Sequence, residues 1–256
     1  MKRLATFFVM LFLISNIFAQ APVKRNPSNN ASTSHTHVAT PPKQTVTNKP
    51  APLNGYHEKT YSDGRVYKGN FKNDLFDGYG ELKYPNGDYY RGDFKRGKKD
   101  GNGVIIYSPD SWLYSKYEGE FVNDKYNGIG TLYWKGGGLR HTGNFKNDEP
   151  YGQGTTFYDQ HDKGTNSEHL LRSEGFYEGV HMIKGTIYYY NHDLYEKYIG
   201  ECSKSTGNPS GTGKMFYRDG RIYEGQMLDH AEGNGKMTYP DGRVVVGVFE
   251  RGALKK

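Results

Sequence analysis

Few side chains in this 256-residue chain can do chemistry outright. There is one thiol, Cys202, and there are nine histidines, at 35, 37, 57, 141, 161, 169, 181, 192 and 230. A helical zinc site needs two histidines at i, i+4 with a glutamate beside them, and no His-Glu-x-x-His occurs. His161, Asp162 and His169 read as solvated loop residues, as do His35 and His37 in a polar segment further upstream. Acid–base catalysis needs two carboxylates set apart by their surroundings. Glu118/Glu120 and Asp148/Glu149 are pairs of the right type, but similar pairs recur along the chain. Six Gly-x-Gly pairs, at 78/80, 101/103, 128/130, 152/154, 211/213 and 233/235, invite a phosphate-cradle reading. A cradle needs a helix to open after the glycines, whereas strand-like sequence follows each pair here. Every conspicuous motif repeats and an active site is a unique constellation, so no enzyme, cofactor or metal site is expected.

The remaining chemistry is aromatic. The chain holds 23 Tyr, 13 Phe and 34 Gly against an apolar fraction of only 34% and a mean hydropathy of −0.87, so its core must be built from rings packed on glycine. Tyr84, Tyr107, Trp134, Tyr158, Tyr217 and Tyr239 close the second strand of successive units. They are expected to line a trough that binds a protein partner or, as the alternative, an envelope glycan or a membrane surface.

The elements that carry these rings are written by a repeat. Tyr67-x-Gly69-x-Phe71, Gly78-x-Gly80 and Tyr84 return as Tyr90-x-Gly92-x-Phe94, Gly101-x-Gly103 and Tyr107, then from Tyr117, His141, Tyr198 and Tyr223, with a terminal half-copy at Val245. A shortened copy is read from Tyr177-Glu-Gly179. Alternation puts Tyr67, Gly69 and Phe71 on one strand face and Lys68, Asn70 and Lys72 on the other. Asp63-Gly64, Asn86-Gly87, Asp219-Gly220 and Asp241-Gly242 read as two-residue hairpin turns. No hairpin is stable alone, so the pattern predicts an all-β, elongated, twisted single-sheet solenoid of tandem antiparallel hairpins, irregular near 159–197.

The unit Y-x-G-x-F…G-x-G…Y resembles the MORN (membrane occupation and recognition nexus) repeat over about residues 56–252, with His141, Cys202 and Met227 departing from it. The resemblance implies a non-catalytic scaffold or protein-binding module.

Upstream, the composition changes. Met1-Lys2-Arg3 followed by an apolar run to Phe18 and small Ala19 reads as a signal peptide over 1–20, too short to span a membrane, and places the protein in the periplasm, the envelope or the medium. Residues 21–54 hold six of the eleven prolines and read as a disordered linker ahead of a repeat domain at 55–256. The net charge of +6 comes entirely from residues 1–54, which hold six Lys/Arg and no acid; the repeat domain balances 28 basic against 28 acidic residues. A balanced domain argues against nucleic acid and for a protein partner, which the open ends of such a sheet allow to be a second copy.

Overall fold

A computed structural model describes residues 50–158, 170–190 and 192–256. The signal-peptide reading, most of the linker, and the His35, His37, His161, Asp162 and His169 readings lie outside the described residues.

All regular structure among the described residues is strand, as the repeat predicts. The strands are β1 (Gly55–Thr60), β2 (Val66–Lys72), β3 (Leu75–Lys83), β4 (Tyr89–Lys95), β5 (Lys98–Ile106), β6 (Tyr114–Val122), β7 (Lys125–Trp134), β8 (Leu139–Lys146) and β9 (Glu149–Phe157). They continue as β10 (Leu170–Glu178), β11 (His181–Tyr189), β12 (Tyr195–Cys202), β13 (Pro209–Tyr217), β14 (Ile222–Leu228), β15 (His230–Thr238), β16 (Val244–Glu250) and β17 (Ala253–Leu254). Each pairs antiparallel with its sequence neighbours, giving one open meander.

The register has a single organising feature. Every strand from β2 to β16 places one glycine in the same row: Gly69, Gly80, Gly92, Gly103, Gly119, Gly130, Gly143, Gly154, Gly175, Gly185, Gly200, Gly213, Gly225, Gly235 and Gly247 face one another in succession. The leading Tyr of a unit lies flat on its own glycine pair. Tyr67 covers Gly69 and Gly80, and Tyr90, Tyr117, Tyr198 and Tyr223 do the same in their units, so a Cβ at either glycine would collide with ring or backbone. These five rings are fully buried. Each hydroxyl donates to the carbonyl three residues on, as Tyr67 does to Asn70 at 2.9 Å and Tyr117 to Glu120 at 3.0 Å. Glycine is required here for close approach, and the ring covers the backbone that glycine leaves bare. Phe71, Phe94, Phe121 and Phe145 then pack edge-on against the neighbouring rings at 5.0–5.2 Å.

Most of the described turns are of two kinds. The Asp-Gly and Asn-Gly signals form three-residue loops rather than two-residue ones: Tyr61 N–H donates to Arg65 O and Gly64 N–H to Tyr61 O, with Gly64 at φ 85°. This is a tight turn followed by a left-handed residue, which glycine alone adopts without strain. The opposite end of the sheet uses two-residue turns with both residues at positive φ, such as Asn73-Asp74 (51°, 67°), Asn123-Asp124 (51°, 72°) and Asn147-Asp148 (53°, 76°). The aspartates do more than turn the chain. Asp124 accepts from Lys99 N–H at 2.9 Å and donates its own N–H to Lys99 O at 2.9 Å, stapling one hairpin to the previous one; Asp148 does so with Tyr126 and Asp74 with Leu53.

The shortened unit is corrected by the register. Gly175, not Gly179, joins the glycine row, and Gly179 sits in a turn at φ 71°. The unit therefore begins at Ser173, with Ser173-Glu-Gly175-Phe-Tyr177 in place of Tyr-x-Gly-x-Phe. Ser173 has no ring to lay on the glycines, and the thioether of Met182 fills that place beside Gly175 and Gly185. Tyr177, in the Phe position, turns its hydroxyl back to Ser173 O at 2.8 Å and Ser173 Oγ at 2.7 Å. Two aromatic clusters result, Tyr67 to Phe145 and Tyr177 to Phe249, and the buried polar residues His141, Thr156 and Ser173 lie at their junction.

Candidate functional site

Many of the polar side chains among the described residues serve the fold. On each strand that carries a leading ring, the residue three places on clamps a bulge in the next strand. Asp93 accepts from Asn102 N–H at 2.9 Å, Glu120 from Ile129 at 2.9 Å, Glu201 from Thr212 at 3.0 Å and Gln226 from Asn234 at 2.8 Å. Asn70 and Asn144 reach the same gap as donors to Tyr79 O and Gln153 O. The clamp explains why carboxylates recur. It also separates the sequence pairs: Glu118 binds Lys116 at 2.8 Å while Glu120 faces the bulge, and Asp148 is held by Tyr126 N–H. The first glycine of every Gly-x-Gly pair supplies the positive φ of that bulge (66–114°) and the second joins the glycine row.

Cys202 is buried in the Phe position, and burial pushes its thiol up to about 12, so it is un-ionised at neutral pH. His57 pairs with Asn54 O at 2.8 Å, His230 with Glu232 at 3.0 Å, and His192 stacks on Tyr195 at 4.5 Å. Among the described residues no three His, Cys, Asp or Glu side chains converge as metal ligands.

His141 replaces a leading Tyr. Its Nδ1 meets Thr156 Oγ1 at 2.8 Å, whereas Nε2 lies over Gly154 with no partner, because imidazole is too short to reach the carbonyl that the tyrosine hydroxyls reach. Burial, with Arg140 adding to it, lowers its pKa to about 4. Thr156 belongs to the same substitution. The residue facing a leading Tyr elsewhere is Leu82, Ile105, Leu132, Met215 or Met237.

The six aromatics read from the sequence lie along the three-residue-turn side of the ring face. Tyr84, Tyr107, Trp134, Tyr158 and Tyr239 are half-buried and Tyr217 is buried, at 5% exposed. Burial raises the Tyr84, Tyr107 and Tyr217 phenols to about 12, so all stay neutral donors. The fold brings in further members. Tyr114 bridges Tyr107 (6.5 Å) and Trp134 (6.2 Å), and Tyr195 bridges Tyr189 (5.7 Å) and Tyr217 (5.5 Å). Tyr107 bonds Tyr126 through their hydroxyls, Trp134 Nε1 donates to Phe157 O at 3.2 Å, and Tyr158 meets Ser173 at 2.9 Å. Tyr114 and Tyr195 fall outside the repeat motif, so periodicity could not find them; their strand-like flanks were the available signal. Lys99 enters the same face, its Nζ 5.5–5.9 Å from the Tyr84, Tyr90 and Phe121 ring centres, in the position that Phe76 and Tyr126 fill in adjoining units.

Stacked hairpins on a glycine row, with an aromatic row along one side and the carboxylates locked in bulges and turns, define a tandem β-hairpin repeat protein. Four segments, 67–89, 90–111, 117–139 and 223–242, match the MORN repeat family. The units headed by His141, Ser173 and Tyr198 lie outside the matched segments; two have lost the leading Tyr and the third carries Cys202. No curated protein matches the sequence. Among solved structures, the SAS-4 (dCPAP) TCP domain of Drosophila melanogaster, in complex with a proline-rich motif of Ana2 (dSTIL), is similar at 13% identity, over 84% of this chain and 99% of that one, with a TM-score of 0.25. A likeness that slight bears on neither fold nor partner.

Proposed function

We propose that the protein is an exported, non-catalytic MORN-repeat module that holds a segment of another protein against the aromatic row. The observation that carries this is the row itself. It offers half-buried rings in succession over many strands, with hydroxyl and indole donors among them, and such surfaces bind through apolar contact with a few fixed polar points. Export rests on the signal-like residues 1–20. The end strands give a place for self-association: all of β1 is exposed, and β17 covers β16 only at Phe249 and Glu250.

Affinity capture by the full chain and by Trp134→Ala and Tyr239→Ala variants tests the reading. A protein retained by the parent and lost from both variants supports it. Saturable retention of isolated envelope polysaccharide that is lost on Trp134→Ala, with no protein retained, would move the function to the glycan alternative. Light scattering on the full chain reads self-association directly, and a strict monomer at high concentration would remove that part.

A further inference from the structure

Four arginines lie over rings of the row in the same way. Arg65 stands 5.5 Å from the Tyr61 ring centre, Arg221 4.8 Å from Tyr217, Arg243 3.8 Å from Tyr239 and Arg140 4.8 Å from Trp134. Three of the four are neutralised by the aspartate two residues before them: Asp63 at 2.8 Å, Asp219 at 2.7 Å and Asp241 at 3.8 Å. The fourth is not. Two places after the ring residue, where Asp63, Asp219 and Asp241 stand, the Trp134 turn has Gly136. Among the described residues Arg140 forms no ion pair, and its Nη1 is buried without a hydrogen-bond partner. A register shift pairs Leu132 with His141 and Tyr133 with Leu139, so Arg140 is the extra residue between them. Trp134 Nε1 donates to Phe157 O at 3.2 Å, which sets the Arg140–Trp134 stack beside the residue that precedes Tyr158 in the row.

A guanidinium stacked on indole keeps the edge of its planar fork free for a carboxylate. Lacking its counter-ion and partly stripped of water, it gains most from an anion that arrives with a partner. We propose that Trp134, Arg140 and Tyr158 are the acid-reading anchor of the row, seating an Asp or Glu side chain of a partner protein segment. The proposal rests on reading the row as a protein-binding surface. The chain's own N-terminal segment cannot be the occupant on charge grounds, since residues 1–54 contain no acid.

The test is selection of random dodecapeptides displayed on phage against the full chain, followed by direct affinity measurement of selected peptides on Arg140→Gln and Gly136→Asp variants. Gly136→Asp restores the missing counter-ion without touching Arg140. Gly136 has nothing within 4 Å of an added Cβ and needs no positive φ, so this variant keeps the fold. The expected result is enrichment of Asp or Glu at one peptide position, with affinity falling roughly tenfold or more in both variants. Peptides without an acidic position, or affinities unchanged in both variants, overturn the anchor. If those same peptides are nevertheless lost on Trp134→Ala, the aromatic row stands as the binding surface and only its acid preference falls. Recovery of no peptide by the full chain counts against both.

Discussion

The units from Tyr67 to Trp134 and those from His141 to Tyr189 use one backbone plan with different fillings. In the first region a tyrosine ring lies on each glycine pair, its hydroxyl satisfied by a carbonyl, with Phe76 stacked on Tyr67 at 3.8 Å and Tyr126 on Tyr117 at 3.7 Å. In the second, His141 covers its glycines with one nitrogen unsatisfied, and Met182 covers Gly175 and Gly185 because Ser173 cannot. The glycine row runs unbroken through both regions. What must be conserved for the sheet to continue is therefore the bare backbone; the covering group can change, at a cost in stability and a gain in polar character where the two clusters meet.

The sharpest way to break this comparison is to remove the cover in each region. Tyr117→Ala empties a fully buried site and should cost about 4 kcal/mol in urea denaturation, against about 2–3 kcal/mol for Met182→Ala, which takes the smaller thioether cover off Gly175 and Gly185. Equal losses would mean that the thioether covers its glycines as well as the ring does, and the contrast between the two regions would fall.

Next in size is a pH effect. Folding lowers the His141 pKa to about 4 from an ordinary value of 6.5, so between these values the unfolded chain binds more protons and stability falls as the pH drops. The loss, on the order of 3 kcal/mol between pH 7 and pH 4, should be missing from the His141→Tyr variant when the two unfolding curves are subtracted. Parallel pH dependences would place the imidazole in a more hydrated site.

A smaller change runs in the stabilising direction. His141→Tyr with Thr156→Leu rebuilds the regular unit and lets the hydroxyl reach Asn144 O; a gain of about 1–2 kcal/mol is expected, read as a higher urea midpoint. The smallest effect is Tyr117→Phe, which keeps the ring but leaves Glu120 O without its donor, costing about 1 kcal/mol.

Much of this was legible in the residues. Tyr67-x-Gly69-x-Phe71 fixes which side chains share a face, and that face is the buried one. The bulge clamp was visible only as recurring polar residues at 70, 93, 120, 144, 201 and 226, because a side chain's reach to the next strand has no signature in spacing. The copy read from Tyr177 shows why a local motif can mislead: Tyr177-Glu-Gly179 looks like a unit start, but only pairing with Gly154 and Gly185 decides that Gly175 belongs in the row.

By itself the sequence determined the hairpin period, the face on which rings and glycines meet, and the absence of a repeated charge imbalance in the domain, since these depend on alternation and composition within a few residues. Only the tertiary structure decided the register of the Ser173 unit, the use of Met182 as a cover, the use of carboxylates in bulges and turns, and the lack of a counter-ion for Arg140 among the described residues. Each of those is a contact between residues brought together by strand pairing, and its energy depends on what the neighbouring strand supplies.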